Sequence, residues 1–174
     1  MTTERSSDRA TAQTRTRDYR LPVANETPDD AALAFRCANN PSAQVRFDSR
    51  IFTSIEYFGT DEVHVDVALT GDGLNATCGA LLFSPWERAE ICDYFDRLVA
   101  DFAGWSGQRD WGNSNLRVTA TFTPGGHVRL DWTVIATLTR PTWQARLSTW
   151  VEAGEKMSHM AADIRSFLSP TPHL

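Results

Sequence analysis

The sequence predicts an α+β fold: an antiparallel sheet of about seven strands with two helices packed on one face. Three observations predict it. Apolar and polar residues alternate over seven separate stretches, the period-two signature of half-buried strands. Only two stretches, one after Ser84 and one from Met157, repeat apolar residues at helical spacing. The links between successive strands are mostly short and rich in Gly, Pro and Asp, which favours antiparallel neighbours. The order is four strands, a helix, three strands and a helix, and 174 residues suit one domain.

Residues 1–28 stand apart from the predicted domain at 29–170. They carry five Arg against Glu4, Asp8, Asp18 and Glu26 and have almost no large apolar side chains. A segment that buries so little cannot offset its ordering entropy, so a disordered tail is expected. Residues 171–174, with His173, are expected to fray.

The first strand is expected where Leu33, Phe35 and Cys37 alternate with Ala34 and Arg36. In the second, Val45, Phe47, Ser49 and Ile51 face the core while Arg46, Asp48 and Arg50 face out. Val63, Val65, Val67 and Leu69 mark the third, with His64 and Asp66 on the polar side. The turn Gly71-Asp72-Gly73 leads into a returning strand from Leu74 to Phe83. Ser84-Pro85-Trp86-Glu87 then reads as a capping box: Ser at the N-cap, Pro at the first helical position and Glu three residues on. Ile91, Tyr94 or Phe95, Leu98 and Phe102 form the helix's buried stripe, and Trp86 is expected in the core.

A loop is expected from Gly104 to Asn115. Beyond it Leu116, Val118, Ala120 and Phe122 alternate with polar residues, as do Val128, Leu130, Trp132 and Val134. Trp143, Ala145, Leu147, Thr149 and Val151 mark the seventh strand. Met157, Met160, Ala161, Ile164 and Leu168 form the apolar stripe of the last helix, which ends at Ser169-Pro170.

Composition narrows the function classes. The net charge of −5 and pI near 5.3 argue against nucleic-acid binding, which draws on neutralised phosphates. No apolar run reaches the roughly 18 residues of a membrane span, and no secretory signal pattern opens the chain. Cys37, Cys78 and Cys92 form no C-x-x-C pair, so free thiols in a reducing cytoplasm are expected. G-x-S-x-G, G-x-G-x-x-G, P-loop and H-E-x-x-H motifs are all missing from the sequence. Neither catalytic residues nor a metal or cofactor is expected, and the chain leans away from enzymes.

The polar sheet face is the most informative feature. Arg46, Asp48, Arg50, His64, Asp66, Arg117, Arg129, Asp131 and Arg146 share one side if all strands join one sheet. Trp150 falls on that polar register as well. Mixed Arg and Asp suit directional ion-pair recognition, and an accessible indole among arginines is typical of binding hot spots. The leading expectation is a bacterial, cytoplasmic, non-enzymatic protein-binding module, monomeric or homodimeric, of immunity-like or regulatory-inhibitor kind. The alternative is a small-molecule- or metal-binding domain, hydrolytic in one version, with a His/Asp cleft built on His64, Asp66 or Asp131. A metal site of His64, His127 and Asp131 requires their strands to adjoin.

One block supports a resemblance. It runs from Gly104-Trp105 to Trp111, through Leu116-Arg117-Val118 and Gly126-His127-Val128-Arg129-Leu130-Asp131-Trp132-Thr133, to Trp143 and Glu152–Met157. In these residues the chain resembles a family of small, mainly actinobacterial proteins catalogued as domain of unknown function 6228, over about residues 45–168. The resemblance implies a single-domain cytoplasmic bacterial protein and carries no catalytic residues. In size, acidity and plan the chain is also similar to the immunity proteins that neutralise bacterial toxins.

Overall fold

A computed structural model of the chain describes residues 32–55, 60–137 and 141–170. The expected tail and C-terminal end lie outside the described residues. The elements are β1 (Leu33–Arg36), β2 (Gln44–Ile55), β3 (Thr60–Gly71), β4 (Leu74–Phe83), α1 (Pro85–Ala100), β5 (Gln108–Gly112), β6 (Leu116–Thr123), β7 (His127–Thr137), β8 (Pro141–Glu152) and α2 (Glu155–Leu168). The fold is α+β and antiparallel, as the alternation predicts. It has eight strands in two sheets, however, where one sheet of about seven was expected. β1-β2-β3-β4 form sheet 1 and β5-β6-β7-β8 form sheet 2, each in sequence order. The chain therefore runs four strands and a helix, twice over.

The extra strand is β5, within the expected loop 104–115. Its five residues are too few for alternation to stand out, although Trp111 does point into the core. Tight geometry precedes it. Gly104 has φ +111°, and a Cβ there would lie 2.8 Å from the Phe122 ring, so only glycine fits this approach.

Both sheets turn their apolar faces to one shared core. Trp132, fully buried on β7, stacks against Phe35 of β1 and Phe95 of α1 and meets Phe47 of β2 edge-on. Its indole N–H donates to the Thr149 hydroxyl at 2.9 Å, so the polar atom is satisfied inside the core. α1 starts with the predicted capping box: the Ser84 hydroxyl accepts from the Glu87 N–H, and the Glu87 carboxylate accepts from the Ser84 N–H at 2.9 Å. Ile91, Cys92, Tyr94, Phe95 and Leu98 are its buried face. Two aromatic assignments are corrected. Phe102 lies beyond the helix end and is 64% exposed, and Trp86, in the first turn, is 72% exposed. An N-terminal turn held by its cap can project a side chain without core contact.

The sheets also meet edge to edge. Just past β1, the Ala38 N–H donates to the Trp150 carbonyl of β8 at 3.0 Å. Between β4 and β5, the Asn113 side-chain amide donates to the Leu82 carbonyl at 3.4 Å.

Candidate functional site

With two sheets, the predicted Arg/Asp face divides. Arg46, Asp48, His64 and Asp66 lie on the outer side of sheet 1; Arg117, Arg129, Asp131, Arg146 and Trp150 lie on the outer side of sheet 2. Arg50 lies on neither.

Sheet 1 is interrupted by two bulges flanking the middle of β3. One sits in β2 between Asp48 and Ile51; the other sits in β4 opposite Asp66. Ser49 (φ 53°) and Ala80 (φ 54°), one in each bulge, take left-handed backbone that favours glycine. The extra β2 residue reverses the alternation. Phe52 now pairs with buried Val63, Ile51 moves beside His64 on the outer side, and Arg50 swings inward. Arg50, only 7% exposed, donates to the Phe167 carbonyl at 2.7 Å and stacks its guanidinium over Phe52 and Phe167. A cation is well placed there, because a helix C-terminus presents unpaired carbonyls and partial negative charge. Its expected place on the polar face is thereby corrected, as is the core position of Ile51. Asp66 accepts from the Ala80 N–H at 2.7 Å and so pins the second bulge. Arg46 and Asp48 pair along their own strand at 2.8 Å.

Sheet 2 has an unbroken register through this region, and its outer residues align in transverse rows. Gly112, Arg117, Thr133 and Arg146 form one row; Asp110, Thr119, Asp131 and Ser148 the next; Gln108, Thr121, Arg129 and Trp150 the third. In the middle row Thr119 donates to Asp110 and Ser148 donates to Asp131, each at 2.5 Å. Asp131 is the centre. It is 4% exposed, and the guanidiniums of Arg129 and Arg146 approach its Oδ2 at 3.2 and 3.1 Å from the rows on either side. A buried carboxylate needs such partners, since desolvation of a lone charge is costly. Arg146 remains 63% exposed while holding it, and Arg129 37%. Trp150 is half-buried in the row with Arg129.

Two depressions border this face at the β5 edge. One, about 470 Å³, is lined by Asp110, Trp111, Gly112, Asn113, Arg117 and Thr119; the other, about 380 Å³, by Tyr94, Arg97, Asp101, Arg109 and Asp110. Arg109 pairs with Asp101 at 2.6 Å and lies over the Trp105 ring at 4.5 Å. The Tyr94 hydroxyl donates to the carbonyls of Arg109 and Val118, and burial, with the Asp110 charge adding to it, pushes the phenol well above its ordinary range. Burial likewise raises the Cys78 and Cys92 thiols, which favours the neutral form over a nucleophilic thiolate. Sequence reasoning missed Arg109, Asp110, Thr119 and Ser148 as members of this region. The signal was faint: Asp110 and Thr119 meet only once β5 is recognised.

His64 on β3 and Asp131 on β7 belong to different sheets, so the conditional His64, His127 and Asp131 cluster is not assembled. Among the described residues no three His, Cys, Asp or Glu side chains converge to hold a metal ion. No helix among them is long and apolar enough to cross a membrane.

A family model described as a family of unknown function, DUF6228, matches residues 36–171. The chain belongs to this family. No curated protein matches it. The DUF6228 match covers β2 to β8 and both helices, and it takes in the Asp131 cluster and Trp150.

Proposed function

We propose that the chain is a non-enzymatic protein-binding module, a regulatory or immunity-like inhibitor of the bacterial cytoplasm acting as a monomer or homodimer, and that it docks through the outer face of sheet 2. The observation that carries this reading is the Asp131 cluster. Two arginines from the rows on either side hold one buried carboxylate on an unbroken sheet, with a third arginine and an indole on the same face. Arg and Trp are the side chains most enriched at energetic centres of interfaces, and a sheet-borne cluster is held rigidly enough to bind without reorganising. Crosslinking capture in the native host, run side by side with Trp150→Ala and Arg36→Gln, tests it. A stoichiometric partner is expected that Trp150→Ala loses and that Arg36→Gln, on the other sheet, keeps. No stoichiometric partner, or equal loss in both variants, sinks the reading.

A small-molecule reading draws on the 470 Å³ depression beside Asp110 and Arg117 rather than on His64. Thermal-shift screening separates the two: a metabolite or metal that raises the melting temperature of the full chain reverses the ranking.

A further inference from the structure

On the protein-binding reading above, we propose that the partner offers sheet 2 an acidic polypeptide segment bearing at least two carboxylates. Charge asymmetry gives the sign. The chain carries −5 overall, yet Arg117, Arg129 and Arg146 all reach solvent on this face, while Asp131 is 4% exposed and Asp110 is the one accessible acid in the three rows. A local cationic patch on an acidic molecule attracts negative charge at short range and repels basic partners there.

Spacing gives the valence. Arg117 on β6 and Arg146 on β8 have β7 between them, two strand spacings or roughly 10 Å. Their side chains also lean apart. Arg146 reaches toward Asp131, whereas Arg117 lies over the position opposite it on β5, where a Cβ on Gly112 would come within 2.8 Å of Arg117 Cγ. One small oxyanion therefore engages one of these guanidiniums, and engaging both takes two anionic groups on one chain.

Chemistry gives the carboxylate. Asp131 already shows how this surface holds one, between two guanidiniums at 3.1 and 3.2 Å. Arginine's planar fork suits a carboxylate better than an ammonium does. Trp150, beside Arg129, supplies apolar surface at the end of the same track.

The test titrates the full chain into a fluorescent decaglutamate peptide and follows anisotropy. Saturable binding is expected at about 50 mM salt, weakening strongly by about 200 mM as the Debye length shortens. Arg117→Gln combined with Arg146→Gln, with Arg129 still paired to Asp131 and a urea melt confirming the fold, is expected to weaken it roughly tenfold or more. Arg36→Gln, which removes one positive charge from sheet 1, is expected to change it less than about twofold. The proposal is overturned if decaglutamate does not bind, if Arg36→Gln weakens it equally, if millimolar inorganic phosphate alone displaces it, or if a single-stranded oligonucleotide binds more tightly. A captured host partner that is lost with Trp150→Ala but kept by the double Arg variant overturns the acidic segment and leaves the protein-binding reading standing.

Discussion

On sheet 1 the outward alternation runs through Arg46 and Asp48, breaks at Ser49, and resumes one residue out of step with Ile51. On sheet 2 it runs through Arg129, Asp131 and Thr133, and through Arg146, Ser148 and Trp150, without interruption. The two faces draw on similar residue types and do different work with them. Bulges bend sheet 1 and engage its polar groups: Asp66 holds a bulge from the outer side, and Arg50 turns inward to cap α2. Sheet 2 keeps its charges outside and in rows, where neighbouring strands stack Arg, Asp and Arg in sequence. Composition alone does not set how a polar face is laid out; an unbroken register does.

The largest expected effect falls on neither outer face but on the residue that both sheets cover. Trp132→Ala is expected to cost about 3–5 kcal/mol, enough to unfold most of a domain of ordinary stability, as read from urea melts. Next, Arg50→Met should cost about 1.5–3 kcal/mol by removing a charged donor from the α2 carbonyls, while Arg46→Met should stay within about 0.5 kcal/mol. Equal losses would abolish the distinction between the diverted arginine and the solvated one. Ala80→Gly and Ser49→Gly should each stabilise by about 0.5–1 kcal/mol, because the relieved left-handed strain exceeds glycine's entropy cost. Equilibrium denaturation of each variant checks the sign. Trp150→Ala is expected to cost about 0.5–1 kcal/mol in stability, with its main consequence in partner binding. A loss as large as that of Trp132→Ala would make the outer face of sheet 2 a core.

The capping box at Ser84, the alternation of Val128 to Val134 and the inward place of Trp132 were all legible, because each depends on spacing within one segment. Trp150 on the outer side of β8 was legible for the same reason. The division into two sheets was not, since it depends on which strands pair after the helix. Nor was the fate of Arg50: one extra residue in β2 reverses every later side, and an Arg-Asp alternation reads the same before and after it. Arg109 and Asp110 escaped notice because a five-residue edge strand lies below the length at which periodicity is visible.

The hydrogen bond from the Ala38 amide to the Trp150 carbonyl has a consequence for how the molecule breathes. That amide belongs to neither sheet's own ladder, so its exchange with deuterated solvent times the parting of the β1–β8 seam. Amides deep in β3 and β7 exchange instead with opening of the ladders themselves. The acceptor is the backbone of the very residue whose indole lies on the outer face of sheet 2. A partner that seats on Trp150, as proposed, is expected to slow exchange at Ala38 without touching it.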